Sequence, residues 1–163
     1  PDGFLLRNYK EQDVDAVLSI LSLSQLNDWN KEKLNKNIKG FVENGFFVVI
    51  HKSTQKVVAT MAARVRPARN YCKSGDIGWL SSDPKYRGKG LGYIVAAASV
   101  NCLLSNGYDD IFVNTDDDRL PAIKIFLKLG FKPLIYKNTM LVRWSVIEKK
   151  IGVNKKIPIN NKP

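Results

Sequence analysis

Cysteine and histidine are scarce in this sequence, which has two cysteines and one histidine among 163 residues. The pair Cys72 and Cys102 cannot form the framework of several disulfides that stabilises small secreted domains. Together with His51 they also lack the spacing of metal ligands, so we expect no metal site. We interpret both cysteines as small apolar fillers and His51 as a surface residue at a strand end. The low cysteine content favours a reducing compartment, and we expect a cytoplasmic protein.

Long hydrophobic runs are also missing. The longest nearly uncharged stretch, residues 90–108, is interrupted by Gly, Ser and Asn, whereas a membrane-spanning helix requires about 18 consecutive apolar residues. The first residues lack the basic start and apolar core of a signal peptide, although the sequence does not begin with Met. We therefore expect a soluble protein without a membrane partner.

Acidic residues are under-represented. Asp and Glu number 15 against 26 Lys and Arg, which gives a net charge of +11 and a pI near 9.7. Such a surface attracts polyanions, so nucleic acid, an acidic membrane and a phosphorylated cofactor are the candidate ligands. With 44% apolar residues the composition is that of a globular chain, and the length fits one domain.

The spacing of apolar residues predicts a chain that mixes hairpins with strand–helix–strand crossovers. The predicted strands cover residues 4–6, 46–50, 56–63, 76–81, 111–114, 131–136 and 140–146, and the predicted helices about 11–21, 30–38, 90–104 and 121–129. The polar turn at 51–55 joins two of these strands into a β-hairpin. This order predicts an α/β fold of the α+β type, with one mixed, mostly antiparallel sheet of about six to seven strands and helices on both faces.

The last residues differ from the rest in composition. Residues 148–163 contain five lysines, one glutamate and two prolines, and they show no apolar period. We therefore predict a single domain over residues 1–147 and a mobile basic tail over residues 148–163.

A basic, glycine-rich segment between a predicted strand and a predicted helix is the most informative part of the chain. Its sequence is Asp-Pro-Lys-Tyr-Arg-Gly-Lys-Gly-Leu-Gly, residues 83–92. Glycines allow a tight turn with converging N–H groups, and the helix N-terminus with Arg87 and Lys89 supplies positive charge, so the segment suits a pyrophosphate. The plain alternative is a glycine-rich turn with solvated basic side chains.

The spacing within this segment argues against two common phosphate sites. A Walker loop requires Lys followed by Ser or Thr, whereas Gly90 follows Lys89, so an ordinary P-loop NTPase is excluded. The dinucleotide fingerprint requires a further glycine where Tyr93 stands, so a nicotinamide site is disfavoured.

Two segments resemble motifs of one family. Residues 87–92, Arg-Gly-Lys-Gly-Leu-Gly, match the R-x-x-G-x-G pyrophosphate motif of the GNAT acyltransferase superfamily, which binds acetyl-CoA. Residues 119–131, Arg-Leu-Pro-Ala-Ile-Lys-Ile-Phe-Leu-Lys-Leu-Gly-Phe, resemble the helix and strand start that the superfamily writes A-I-x-L-Y-x-K-x-G-F. The opening Phe-Leu-Leu-Arg at residues 4–7 is also similar, so the resemblance spans roughly residues 4–146.

The resemblance implies a single GNAT-like domain that transfers an acyl group directly to an amine. The co-substrate would be acetyl-CoA or another acyl-CoA, with no metal, and the acceptor a small-molecule or peptide amine. The backbone N–H of Leu80 would face the thioester carbonyl as an oxyanion donor. The residues that would contact the coenzyme are Leu80, Ser81, Ser82, Arg87, Gly88, Lys89, Gly90, Leu91, Gly92, Arg119 and Phe126.

The proton acceptor that the resemblance implies is Asp76. It is similar to an acid that some members carry on this strand as general base. The alternative is an acid at a strand start that is exposed or paired with one of Arg64, Arg66 and Arg69.

Phe126 is the largest departure from the family pattern. It stands where the family carries a tyrosine that assists the leaving thiol, and a phenyl ring has no O–H to donate. A coenzyme thiol with a pKa of about 8.5 needs limited help to leave, so water or a hydroxyl such as that of Tyr136 could substitute.

The acceptor is poorly determined by the sequence. In this fold it is set by the segment between the first two helices, residues 21–39, and by a strand pair near the C-terminus. Candidates to line its pocket are Trp29, Phe41, Phe46, Trp144 and the loop at residues 64–73. Core packing is the alternative for each aromatic residue, and it is favoured for all except Trp29.

A second hypothesis is a basic module that binds coenzyme, nucleic acid or protein and has a degenerate catalytic site. Its support is the net charge, with Lys149, Lys150, Lys155 and Lys156 in the tail, and the phenylalanine at position 126. No helix-turn-helix, RNP or zinc-finger pattern is present in the sequence. A homodimer is left open by either hypothesis.

Overall fold

The computed structural model describes residues 1–24, 28–65, 73–152 and 158–159. These residues form two compact units, Pro1–Val113 and Asn114–Pro163. Within the described ranges, no helix is both long and apolar enough to span a bilayer.

The first unit is built on a five-stranded sheet in the order β1-β2-β3-β4-β5. The strands are β1 (Phe4–Asn8), β2 (Phe41–His51), β3 (Lys56–Val65), β4 (Ser74–Ser82) and β5 (Asp110–Val113). Neighbours from β1 to β4 pair antiparallel, whereas β4 and β5 pair in parallel. The predicted α/β class and mixed sheet are confirmed, as is the hairpin of β2 and β3; the predicted count of six to seven strands is not.

Two helices cover one face of this sheet. A 3-10 turn at Glu11–Asp13 leads into α1 (Val14–Ser22), and α2 (Lys31–Ile38) begins after Asn30, whose side chain accepts the Lys33 N–H at 2.8 Å. The core on this face joins apolar residues of both helices to β2 and β3, and its members are Val17, Ile20, Leu21, Leu34, Phe46, Val48, Ile50, Val57 and Ala62. Burial of this amphipathic face positions both helices.

The third helix, α3 (Leu91–Ser105), packs on the opposite face. Gly78 is paired with Ala62, which belongs to the α1/α2 core. Because successive strand residues alternate between the two faces, Gly75, three residues earlier, belongs to the face that α3 covers. A Cβ atom at Gly75 would collide with the Leu103 side chain of α3, so glycine allows this close approach.

The second unit contains α4 (Leu120–Lys128) and α5 (Asn138–Ile151). Ile123, Ile147 and Ile151 form its small core, against which Leu120, Leu127 and Trp144 pack. The predicted strand pair was wrong: residues 131–136 form no strand element, and residues 140–146 are helical. The buried positions Ile147 and Ile151 and the half-buried Trp144 recur at helical spacing, and burying them against α4 requires a helix.

Helix α5 also continues across the predicted start of the tail. Glu148 to Ile151 are helical, and Ile151 is buried against Ile123 and Ile147. The helix ends at Gly152, which has a φ of +69°. Residues 153–157 and 160–163 of the predicted tail lie outside the described residues.

Candidate functional site

The glycine-rich segment forms an open loop at the start of α3. Asp83 caps a 3-10 turn at Pro84–Tyr86, where its Oδ1 accepts the Lys85 N–H at 2.9 Å. Gly88 and Gly90 then adopt φ angles of +79° and +74°, and Gly90 is the N-cap of α3. Both angles lie in the left-handed region that strains other residues, so the two glycines allow this path.

The loop is exposed and cationic. Apart from the chain neighbours and the adjoining helix backbone, no described atom lies within 4 Å of a Cβ built at Gly88 or Gly90, and Arg87 and Lys89 are exposed. Leu91 is buried and Gly92 is half-buried in the first turn of α3, so the helix N-terminus is fixed to the core. N–H groups in a first helical turn have no acceptor within their own helix, which makes this end suitable for an anion.

A cluster of rings lies immediately before the loop. The Tyr86 ring is 5.7 Å from Phe4 of β1 and 5.0 Å from His51 of β2. The Tyr86 hydroxyl is 3.3 Å from His51 Nδ1, and the Thr54 hydroxyl is 2.9 Å from the same nitrogen. His51 therefore ends β2 as expected, but it is half-buried in contacts rather than free in solvent.

Strand β4 runs past its parallel neighbour. β5 pairs with β4 only over Ser74–Ile77, and β4 continues through Gly78 to Ser82. Three predicted coenzyme-binding residues, Leu80, Ser81 and Ser82, lie in this extension. The backbone of an extended ligand could pair with a strand in this position, as an added strand does.

The extension contains a β-bulge. Thr60 pairs with Ser81 and Ala62 pairs with Gly78, so Met61 alone faces the two residues Trp79 and Leu80. Trp79 has a φ of +63°, which is an uncommon angle for a residue other than glycine. The predicted oxyanion donor, Leu80, is thus in the bulge. Such backbone strain is most often found at functional sites.

Ser81, next to the bulge, has a buried hydroxyl. Its side chain has 2% of its surface exposed, and its Oγ has no hydrogen-bond partner among the described residues. A buried hydroxyl without a partner is unusual in a native structure.

Aromatic rings surround Trp79 on the α1/α2 face. Its centroid is 4.2 Å from that of Trp29, 4.9 Å from Phe41 and 5.8 Å from Phe46. Phe46 is a core residue with 5% exposure, whereas Trp29, Phe41 and Trp79 are half-buried. The Lys33 ammonium lies 5.2 Å from the centre of the Trp29 ring.

Asp76 is paired with Arg64 across β3 and β4. Arg64 Nε donates to Asp76 Oδ1 at 2.6 Å and Nη2 donates to Oδ2 at 2.9 Å. A Cβ at Gly78 would be 3.0 Å from Arg64 Nη2, so the guanidinium lies against the bare backbone of Gly78. Arg64 is therefore one of the three arginines that the sequence offered as a partner of Asp76. The other two, Arg66 and Arg69, lie outside the described residues.

The second unit holds the two remaining candidates. Arg119 is the N-cap of α4, and its carbonyl accepts the N–H groups of Ala122 and Ile123 at 2.9 and 3.1 Å. Phe126 is buried, with its ring 6.0 Å from that of Phe131. Trp144 packs with Ile123, Ile147 and Ile151, so core packing accounts for this ring.

Asp117 of the second unit forms a bidentate ion pair with Arg143. The Nε–Oδ2 and Nη2–Oδ1 distances are both 2.7 Å. The hydrogen bonds from Arg143 lower the pKa of the Asp117 carboxyl and raise that of the guanidinium. Over the described residues, no group of three or more His, Cys, Asp or Glu side chains could hold a metal ion.

Cys102 is half-buried on α3, and burial raises the pKa of its thiol. That environment suits the expected role as a small apolar residue. Cys72 lies outside the described residues.

Sequence analysis missed Trp79 and the role of Gly78. A bulge leaves no mark in the pattern of apolar residues, and Trp79 fits a regular strand as well as a kinked one. The one available signal was the Gly-Trp pair directly before the predicted oxyanion residue, because glycine within a strand often marks a close approach.

The sequence and fold together define the family. The model of the acetyltransferase (GNAT) family matches residues 14–131, which is well over half of the chain. The chain belongs to this family, as the loop and helix motifs predicted.

Curated relatives include mycothiol acetyltransferases. The protein of Saccharomonospora viridis is 27% identical over 81% of this chain and 47% of its own length. That of Nocardia farcinica is 25% identical over 82% of this chain and 46% of its own length. The chain thus spans about half the length of the curated relatives it matches.

Solved structures show the same fold at low identity. An acetyltransferase of Trypanosoma brucei has a TM-score of 0.65 at 23% identity, with 82% of this chain and 96% of the other covered. Glucosamine-6-phosphate N-acetyltransferase of Arabidopsis thaliana has a TM-score of 0.66 at 18% identity, with 82% and 95% covered.

Proposed function

We propose that the protein is an acetyl-CoA-dependent N-acyltransferase that transfers the acyl group directly to an amine. The observation that carries this proposal is the pair of features in the first unit: an open cationic loop at a helix N-terminus, and a bulged strand that extends past its neighbour. Family membership makes an acyl-CoA the expected co-substrate. The exposed basic side chains beside a helix N-terminus, and the part of β4 that extends past β5, would suit a phosphorylated, amide-containing ligand.

Arg87 and Lys89 would bind the pyrophosphate, with Gly88 and Gly90 bringing backbone N–H groups close to it. The β4 extension at Ser81 and Ser82 would pair with the amide groups of the pantetheine arm. Leu91 and Gly92 would hold the first turn of α3 under the phosphates. The resemblance adds Arg119 and Phe126 of the second unit as residues that would contact the coenzyme.

The chemistry supplied by the bound co-substrate is an activated thioester. The Leu80 N–H would stabilise the negative charge that develops on its carbonyl oxygen, and the bulge would set the direction of this group. The acceptor must lose a proton before its nitrogen can attack, and Asp76 would receive that proton directly or through water. Arg64 would orient the Asp76 carboxylate through the two hydrogen bonds already formed.

Two measurements test this function separately. Coenzyme A and acetyl-CoA should raise the melting temperature, because a ligand that binds only the folded state stabilises it. Release of the coenzyme thiol should then depend on an added amine, measured over amines, amino acids, polyamines and peptides. No thermal shift at millimolar coenzyme A would overturn the proposal.

Coenzyme binding without transfer to any amine would instead support the second candidate, a binding module with a degenerate site. The observation behind this candidate is the phenyl ring at position 126, which cannot protonate a leaving thiolate. Salt-dependent binding to nucleic acid would distinguish a basic nucleic-acid module from one that binds coenzyme alone.

A further inference from the structure

The Arg64–Asp76 ion pair and the Trp79 ring lie on one face of the sheet. Arg64 pairs with Asp76 and Ala62 with Gly78, and opposed residues of antiparallel strands point to the same side. Ala62 belongs to the core beneath α1 and α2, and Trp79 packs against the same core. The Arg64 guanidinium and the Trp79 ring therefore lie on the same face as the α1/α2 core.

The Arg64–Asp76 pair exposes its cation more than its anion. The Arg64 side chain is 31% exposed and that of Asp76 is 13% exposed. Asp76 receives two of the five N–H donors of a guanidinium, and the planar fork can bind a second carboxylate. A ligand that approaches this face would therefore meet a guanidinium that Asp76 holds in place and that has further N–H donors.

The Arg64 guanidinium lies close to the place proposed for the thioester carbon, beside Leu80. It lies against Gly78, which precedes the bulge residue Leu80 by two positions. Two residues of extended strand span roughly 7 Å, and this is an upper limit here because the bulge at Trp79 lies between Gly78 and Leu80. The amine and the carboxylate of one α-amino acid can bridge such a span, with a hydrogen bond to Arg64 at one end and the thioester carbonyl at the other.

The third group on this face is aromatic. Trp79, Trp29 and Phe41 are half-buried and form edge-to-face contacts, so they present a rigid apolar wall. Lys33 already places a positive charge on the Trp29 ring. A polycationic acceptor would be repelled by Lys33, whereas an apolar side chain would be favoured by the rings.

We propose, on the basis of the function above, that the acceptor is a free α-amino acid with an aromatic or large aliphatic side chain. Arg64 binds its carboxylate, and Trp79 and Trp29 pack against its side chain. Its amine faces the acyl carbon, whose carbonyl oxygen accepts a hydrogen bond from the Leu80 N–H. The nitrogen forms a bond to the acyl carbon and the carbon–sulfur bond breaks. The ammonium gives one proton to Asp76, directly or through water, before attack. The second proton goes to the departing thiolate or to solvent after the carbon–nitrogen bond forms, so the products are coenzyme thiol or thiolate and an N-acyl amino acid.

The wild-type protein provides the first test through matched acceptors. L-Phenylalanine and 2-phenylethylamine differ by the carboxylate, and L-phenylalanine and glycine differ by the aromatic group. We expect kcat/KM to be at least about tenfold higher for L-phenylalanine than for either, because a charge-assisted hydrogen bond and a buried ring each contribute that much. Equal or faster transfer to 2-phenylethylamine, spermidine or glucosamine would overturn the assignment.

Arg64→Gln provides the second test. It should remove the difference between L-phenylalanine and 2-phenylethylamine, and the loss of its hydrogen bonds to Asp76 should slow transfer to both acceptors by the same factor. Arg143→Gln is the matched control, since it breaks a bidentate pair with Asp117 in the other unit and should leave the preference unchanged. A preference for L-phenylalanine that survives Arg64→Gln would contradict the role of Arg64.

Different results would overturn the proposed acceptor class and the proposed enzymatic function. Transfer to other amines without preference for amino acids would overturn the class and keep the acyltransferase. Thermal stabilisation by coenzyme A with no transfer to any amine would overturn both.

Discussion

Gly90 and Gly152 have the same left-handed backbone conformation, although Gly90 begins α3 and Gly152 ends α5. Their φ angles are +74° and +69°, and apart from the chain neighbours and the adjoining helix backbone no described atom lies within 4 Å of a Cβ built at either position. Replacing either with Ala should therefore cause a similar strain, of about 1–2 kcal/mol. The two glycines differ in that only Gly90 lies in the proposed pyrophosphate loop.

Gly90→Ala should lower the affinity for coenzyme A, and Gly152→Ala should not. We expect both variants to melt at similarly reduced temperatures, and we expect the stabilisation by added coenzyme to fall only for Gly90→Ala. Differential scanning fluorimetry with and without coenzyme A measures both quantities. An equal coenzyme shift in the two variants would show that the loop is only a turn.

Asp76→Asn should slow acyl transfer most at neutral pH. The amide keeps the shape of the carboxylate but cannot take a proton, so the acceptor must lose its proton to solvent. The deficit should shrink as the pH rises towards the pKa of the acceptor amine, where the neutral form is abundant.

The control for this variant is Asp117→Asn, which breaks the exposed pair with Arg143. Its transfer rate should match the wild type at every pH. A pH-independent deficit in Asp76→Asn would indicate that Asp76 acts only by holding Arg64.

The ion pair of Arg7 and Asp13 should make the fold sensitive to acid. Asp13 is 6% exposed, and its carboxylate accepts hydrogen bonds of 2.6 and 2.8 Å from Arg7 and 2.8 Å from the Lys10 N–H. Burial alone would raise the pKa of Asp13, but the hydrogen bonds and the charge of Arg7 lower it overall. The stabilisation is then present above the unfolded pKa of about 3.9 and is lost as the pH falls below it.

Asp13→Asn should therefore lower the free energy of unfolding at pH 7 by about 3 kcal/mol and flatten its fall at acid pH. Urea unfolding between neutral pH and the acid limb measures this difference. Asp15→Asn removes an exposed pair with Lys31 and should change stability by less than about 1 kcal/mol. If both variants lose stability equally, the pairing with Arg7 contributes nothing specific.

Phe126→Tyr should raise the rate of transfer if the missing hydroxyl limits departure of the thiol. Phe126 is 5% exposed, so the variant should also be slightly less stable, because an added hydroxyl is buried. Phe131→Tyr, on the neighbouring ring, is the control for a hydroxyl added nearby. An unchanged or lower kcat in Phe126→Tyr would show that another group already serves the thiol.

The fold of the first unit followed largely from local patterns. The hairpin of β2 and β3, the loop at residues 83–92 and the start of α2 at Asn30 each depend on residues close in sequence, so the sequence predicted them. The loop in particular combines left-handed glycines with basic residues, and both signals are visible without tertiary contacts.

Helix α5 could not be predicted in the same way. Its first half has an apolar residue at every second position, as a strand would, namely at Met140, Val142, Trp144 and Val146. Val142 and Val146 are in fact 68% and 46% exposed, and the buried positions are Ile147 and Ile151. Packing against α4 decides between the two patterns, and such a contact is invisible in a single sequence.

The proposed acceptor site at Arg64, Trp79 and Trp29 was also hidden in the sequence, for a related reason. Arg64 and Asp76 are opposed only because β3 and β4 pair in one register, and Trp79 turns towards Trp29 only because the bulge adds a residue to β4. Register and bulges depend on long-range pairing, so the sequence offered Asp76 three arginines as partners and could not choose.

The contact of Tyr86 with Phe4 and His51 connects the proposed pyrophosphate loop to β1, at the far edge of the sheet. Phe4 is in the first strand and His51 ends the second, yet their rings enclose the residue that precedes Arg87. Deleting the first six residues should therefore weaken coenzyme binding without removing any residue of the loop. We therefore expect truncation at the first strand to lower the affinity for coenzyme A, and isothermal titration of the shortened protein would measure this change.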